Sequence, residues 1–346
     1  MIAGLVRFAV RKSLRDTRHV GVVPRRRARG LVAAVYRQVE QDFGMLAPPT
    51  ALHSAAPESM AAAWLILRET LLVPGPAGRA AKEAVATGVS AANSCPYCVD
   101  VHGMTLAAIP DGPGESGGSE RAALEAWARA SATTTAPAPP FPPAHAPELI
   151  GVAVAFQYYN RMVNVYLRDS PFPAHVPESA KPQARRVLGG VLRPPATSGP
   201  RPGASLELLP AAPAPEDLGW ARGNPVIADA FARAYAVAEA AGARSVPAGV
   251  RALVRERLAA WDGQAPGLSR SWLDEAVAGL AEADRPAGRL ALATALASYQ
   301  VDEGLVEAFR RTAPGDDTLI ELTAWAGMAA ARRVSSLLAG AVADHA

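Results

Sequence analysis

The chain has 346 residues, more than the roughly 100–200 of an ordinary domain, so two domains or one fused duplication is expected. Half of it is hydrophobic, dominated by Ala, Leu and Val with only 6% aromatics, a composition that leans towards helix and against a β-sandwich or barrel. The net charge of +3 hides an asymmetry: residues 1–30 carry nine Arg and Lys against Asp16 alone, so the rest of the chain is net acidic and offers no extended basic surface for nucleic acid.

The first 30 residues read as a basic arm. Ile2, Leu5, Val6, Ala9, Val10 and Leu14 fall near one face of a helix, with Arg7, Arg11, Arg15 and Arg18 on another. Docking on the chain's own body or on a neighbouring subunit is expected of this arm, ahead of contact with a membrane surface. Its charges sit among and after the apolar residues, unlike a signal peptide, and no run of about 18 apolar residues suggests a membrane span. A cytoplasmic protein is expected.

From Leu31 onward, apolar residues at three-to-four spacing predict helices over 31–44, 57–72, 77–93, 96–109, 119–132 and 147–168. Two segments between them, 110–120 and the Pro-rich 133–147, read as exposed loops. A Pro/Gly-rich tract, 171–225, predicts a connector with at most short helices. Helices resume over 226–242, 247–262, 270–282, 286–301, 302–312 and 316–340. The expected organisation is therefore a basic arm (1–30), a helical unit (31–170), a connector (171–225) and a second helical unit (226–346).

The two units echo each other. Pro76-Ala77-Gly78-Arg79 returns as Pro286-Ala287-Gly288-Arg289, Trp64-Leu65 precedes the first and Trp272-Leu273 the second, and Asn160-Arg161-Met162-Val163 resembles Ala331-Arg332-Arg333-Val334. Three correspondences in one order favour a duplication.

The two cysteines, Cys95 and Cys98, are too close together to staple distant segments, so their role is chemical. Asn93, Ser94 and Pro96 place Cys95 at a helix start, where free amides and the dipole favour a thiolate. Cys98 and His102 stand at i, i+4 on one face of that helix, close enough for the imidazole to take the thiol proton directly or through a water. If the chain reverses near 93–95 into an antiparallel hairpin, Glu83 comes level with His102. Glu83, Thr87, Ser90 and Ser94 then form a polar stripe aimed at Cys98 and His102, with Glu83 orienting the ring. Zinc held by Cys95, Cys98 and His102 lacks a natural fourth ligand. A purely structural disulfide across so small a loop removes little chain entropy.

Glu83, eleven residues, Cys95-Pro96-Tyr97-Cys98, three residues and His102 resemble the signature of the alkylhydroperoxidase D-like branch of the carboxymuconolactone decarboxylase superfamily. The resemblance covers about 75–110 directly and extends to the helix at 147–168. It implies an all-α alkylhydroperoxidase D-like fold, a homo-oligomer, and peroxidase or disulfide-reductase chemistry in which the second cysteine attacks and the first resolves. Cys98, Cys95, His102 and Glu83 are then the catalytic residues. No cofactor or metal is expected, and the partners are a hydroperoxide substrate and an external dithiol or disulfide reductase.

The residues alone divide over the nucleophile, since the helix start favours Cys95 and the histidine favours Cys98. In the second unit, at the same offset of 210, Ala293, Leu305, Ala308 and Thr312 stand where Glu83, Cys95, Cys98 and His102 stand in the first. That unit is expected to keep the fold without the redox site. Tyr97 occupies the place where the family often carries a second histidine. A thiol-disulfide reductase serving another peroxidase, a decarboxylase-like enzyme and a non-enzymatic redox sensor are the alternatives to a peroxidase.

Overall fold

The structure, a computed structural model, describes residues 17–110, 117–172, 179, 181–192 and 199–343. Among them there is no strand. The helix expected at the very start of the basic arm lies outside the described residues.

Helix α1 (Gly30–Phe43) buries Val32, Val35, Tyr36 and Val39, one stripe at helical spacing, and ends at Gly44 with φ +80°, a left-handed cap that suits glycine. A short turn, α2 (Pro48–Ala51), leads to α3 (Pro57–Leu67), which is buried on nearly every side and runs on into one π-turn at Arg68–Leu72. Arg68 and Glu69 within that turn are buried, and Arg68 donates to Asp42 at 2.6 Å. Glu69 accepts from Ser205 Oγ at 2.6 Å and from the Gly203 amide at 2.9 Å. The part of the connector around 203–205 is thereby tied to the body by a buried carboxylate.

Helices α4 (Arg79–Ala92) and α5 (Pro96–Ala108) form the expected hairpin, and α6 (Gly118–Ala130) closes over α4. The central element is α7 (Ala146–Tyr166), 21 residues of which all but Asn164 are buried. The connector holds a longer helix than the Pro/Gly content suggested, α8 (Lys181–Leu192), which packs on α5. Prolines stand on either side of 183–192 but not within it, which leaves room for about three turns.

The second half comprises α9 (Pro225–Ser245), α10 (Ala248–Ala259), α11 (Ser271–Val277), α12 (Arg285–Ala297), α13 (Glu303–Arg310) and α14 (Asp316–Ala343). Asn224 caps α9 and Asp302 caps α13, each side chain accepting from the first-turn amides. The halves share one core: α3 packs on α9 and α7 on α14. The described part of the arm lies on this body, with the Arg18 amide donating to the Tyr166 carbonyl, Tyr36 to the Val23 carbonyl and the Gly21 amide to Asp316. No described helix is long and apolar enough to cross a membrane.

The helix that carries Glu83 is held by a close backbone approach. A Cβ on Gly88 would stand 2.5 Å from the Glu125 carbonyl oxygen and 2.8 Å from the Ala128 Cβ on α6, so nothing larger than hydrogen fits without moving the helices apart. Gly88→Ala is expected to destabilise the protein by about 1–3 kcal/mol, read as a lowered urea midpoint; an unchanged midpoint would show that α6 yields freely.

Candidate active site

The α4–α5 hairpin turns at Asn93 and Ser94, and Ser94 takes a left-handed φ of +50°. Cys95 is the N-cap of α5, its amide donating to the Ser90 carbonyl, and Pro96 follows in the first turn. This reversal sets α5 beside α4 and brings Glu83 level with His102. His102 Nδ1 lies 2.6 Å from Glu83 Oε2, while Arg79 binds Glu83 Oε1 at 2.7 Å. With the carboxylate ionised, Nδ1 carries the proton and donates it, which leaves Nε2 as the basic nitrogen. Phe156 stands edge-to-face with the imidazole, ring centres 4.5 Å apart, and limits its rotation.

Glu83 is fully buried. Burial by itself raises its pKa, but the Arg79 charge and His102 outweigh that and hold it below the ordinary carboxylate range.

The sulfurs of Cys95 and Cys98 are 2.8 Å apart, both cysteines are free thiols, and both are buried. Cys98 lines a cleft that Cys95 does not reach. This cleft encloses about 840 Å³ including its open mouth, and is walled by His102 and Tyr97 of α5, Phe156 and Tyr159 of α7, Trp64 of α3 and the segment before α3. Cys98 and His102 therefore share a chamber. They make no direct hydrogen bond, so a proton passes between them only through a water or through the substrate.

Two expectations need correction. The polar stripe on α4 reaches the site only through Glu83 and, by way of Asn160, Ser90; Thr87 and Ser90 donate back to the Glu83 and Ala86 carbonyls of their own helix. Nor is Cys98 poised as a low-pKa thiolate. Burial pushes its pKa well up and the neighbouring Cys95 sulfur adds to this, while Asn160 alone acts in the opposite direction. Desolvation dominates at Cys98.

Asn160 is a site residue that the sequence motif does not point to. Its Nδ2 donates to Ser90 Oγ at 3.0 Å and its Oδ1 accepts from Asn93 at 3.1 Å, and these bonds hold the amide against the thiol. Asn93 also donates to Gln157 Oε1, which Arg161 holds at 2.7 Å. The available signal is a group of polar residues, Gln157, Asn160 and Arg161, in a long helix rich in apolar residues, since such groups are buried there only when bonded. Alkylation of Cys98 in the reduced protein is expected to titrate above the roughly 8.5 of a free thiol, and Asn160→Ala to move it further up. Iodoacetamide rates against pH, assigned by mass spectrometry, measure both; a profile at or below the free-thiol value contradicts the burial argument.

Among the described residues, no group of three or more His, Cys, Asp or Glu is arranged to hold a metal ion.

Residues 58–109, from α3 through the cysteine helix, match the carboxymuconolactone decarboxylase family. Over 335 residues the chain is 36% identical to the alkyl hydroperoxide reductase Rv2159c of Mycobacterium tuberculosis, a match that spans 94% of this chain and 96% of that protein. The chain belongs to the carboxymuconolactone decarboxylase superfamily, in its alkylhydroperoxidase D-like branch. The full-length match includes the second half, which the family's own match leaves out. No solved structure matches the chain significantly.

Proposed function

We propose that this member of the superfamily is a thiol-dependent peroxidase that reduces organic hydroperoxides through Cys98 and Cys95. The observation that carries the proposal is a buried thiol pair whose second sulfur opens, with a carboxylate-buttressed histidine, onto a cleft walled mainly by apolar side chains. The relative's name, alkyl hydroperoxide reductase, supports it.

In this mechanism His102 Nε2 takes the Cys98 proton through a bridging water as the sulfur attacks the terminal peroxide oxygen. An S–O bond forms and the O–O bond breaks. The departing alkoxide receives the proton from His102 and leaves as the alcohol. Cys98 is then a sulfenic acid. Cys95, in contact with it, attacks that sulfur, an S–S bond forms and water departs. An external dithiol returns two electrons and two protons by thiol-disulfide exchange. Because the resting thiol is protonated, the base is needed in the transition state itself rather than to maintain a standing thiolate.

Peroxide consumption by the reduced protein, with and without a recycling dithiol, tests this. Multiple turnovers are expected with the dithiol and one equivalent without it. Disulfide exchange with no peroxide consumed would instead mark a reductase serving another enzyme.

The second half is proposed to be a repeat of the first that lacks the redox residues. In its support, α7 meets α14, and α4 packs on α7 as α12 packs on α14. Overlay of α12 and α14 on α4 and α7 is the expected result.

A further inference from the structure

One cation of the core has no anion to answer it. Arg161 of α7 is only 3% exposed, and no carboxylate among the described residues acts on it. Burial alone pushes its pKa down, to about 10, so the guanidinium is still charged at neutral pH. A buried charge without a counter-charge is costly and uncommon.

The guanidinium is held by neutral groups. Its Nε donates to the Ala295 carbonyl of α12 at 2.9 Å, and its Nη1 to the carbonyl and the Oε1 of Gln157 at 2.6 and 2.7 Å. Its carbon stands over the Trp261 ring, 5.8 Å from the centroid. The carbonyl near the end of α12 carries part of the helix dipole's negative pole, which is less than a full charge. Nη2 is the remaining nitrogen. It bonds to no described residue and, unlike Nε of Arg333, it is not sealed from solvent.

Arg161 lines a pocket of about 360 Å³, mouth included, that shares no residue with the cleft of Cys98. Asn93 at the end of α4, Leu296 of α12, Ser298 just after it, and Trp261 form the other walls. Ser298 Oγ accepts from Asn164 at 3.0 Å and donates to no described residue, so its own proton is free to give. No described Asp or Glu lines the pocket; Asp262, the neighbour of Trp261, accepts from the Gln264 amide instead.

The chain contains its own comparison. In the four-residue echo between the halves, the place of Arg161 is taken by Arg332 of α14. Arg332 also stands over an aromatic ring, Tyr235, at 4.7 Å. There, however, Asp217 accepts from Nε and Nη2 in two bonds of 3.1 Å. At Arg161 the protein supplies no such carboxylate and has a pocket beside the guanidinium.

We infer that this pocket is a binding site for a small monocarboxylate, held by charge-assisted hydrogen bonding to Arg161 with Ser298 as a second donor. One guanidinium answers one negative charge. The volume lies near the lower limit of ligand pockets and suits a body of about two to four carbons. The site is independent of the peroxidase reading.

The experiment is ligand-observed NMR titration of the reduced protein, at constant ionic strength, with acetate, propionate and butyrate. Each is paired with the amide of the same shape, acetamide, propionamide or butyramide. Wild-type protein is expected to bind the best-fitting carboxylate at least tenfold more tightly than its amide, the size of one hydrogen bond to a charged group. Arg161→Gln, with its fold checked by circular dichroism, is expected to erase that preference. Ser298→Ala removes a single oxygen and leaves the arginine in place, so it decides the matter if Arg161→Gln fails to fold. It is expected to weaken carboxylate binding about fivefold, with the amides unaffected.

Equal binding of carboxylates and amides by the wild-type protein would overturn the site, as would a preference that survives in folded Arg161→Gln. An affinity unchanged in Ser298→Ala would overturn it too. Should the carboxylate then also slow iodoacetamide at Cys98 equally in Ser298→Ala and wild-type protein, its seat is the cleft.

Discussion

Cys98→Ser is expected to lower peroxide reduction by roughly 10⁴-fold or more, the scale seen when a covalent nucleophile is removed. Serine cannot substitute for it, because an alcohol holds its proton far more tightly than a thiol and its oxygen is a poor partner for a peroxide. Cys95→Ser is expected to behave differently. Cys98 faces the cleft while Cys95 lies behind it at the helix cap, so the first oxidation should proceed at near its normal rate and stop at the sulfenic acid. A dimedone adduct on Cys98, found by mass spectrometry in Cys95→Ser and absent from Cys98→Ser, is the measurement. An adduct on Cys95 in the Cys98→Ser protein, together with retained turnover, would reverse the assignment of the two sulfurs and with it the mechanism.

That assignment shows where sequence reasoning stops. Local spacing predicts the helix starts near Pro57, Pro96 and Asp316 because each is announced by a residue that acts within its own turn, Pro in the first position or an acidic residue beside the dipole. The pairing of Glu83 with His102 is legible for a similar reason, since a reversal at Asn93 and Ser94 fixes the register of two adjacent helices. The cleft is not. Its walls come from segments far apart in the chain, Phe43 to Thr50, Trp64, Phe156 to Val163 and Leu188, and no periodicity within one helix reports which of its faces will meet another. The same limit explains the polar stripe. Thr87 and Ser90 stand on one side of α4 as their spacing requires, but a hydroxyl in a helix has a carbonyl within reach one turn back and takes it. Asn160 lies sixty-five positions beyond Cys95, on a helix whose apolar run announces its burial without saying what the amide would touch.

Removing the carboxylate beneath the histidine, or the histidine itself, is expected to have the second largest effect. His102→Ala should cost about 10²–10⁴-fold in peroxide reduction, the range for loss of a general base, and Glu83→Gln a smaller share, since glutamine can still accept from the ring but does not stabilise the imidazolium. Stability should change as well. Glu83→Ala leaves Arg79 largely buried without its carboxylate, and breaking a buried pair from one side costs about 3 kcal/mol or somewhat less where, as here, Arg79 keeps partial access to water. The pH dependence has a definite sign. The Glu83 pKa is lower in the folded protein than in the unfolded chain, so its contribution is fully present above the unfolded value of about 4.3 and is lost as pH falls through the lower folded value. Urea denaturation of wild-type protein and Glu83→Gln should therefore show a constant gap from neutral pH down to about 5 and a narrowing gap in stronger acid. If the gap instead widens as acid is added, Glu83 is held protonated in the folded protein, His102 lacks an anionic support, and the proton transfer that the peroxidase mechanism assigns to that ring has no carboxylate behind it.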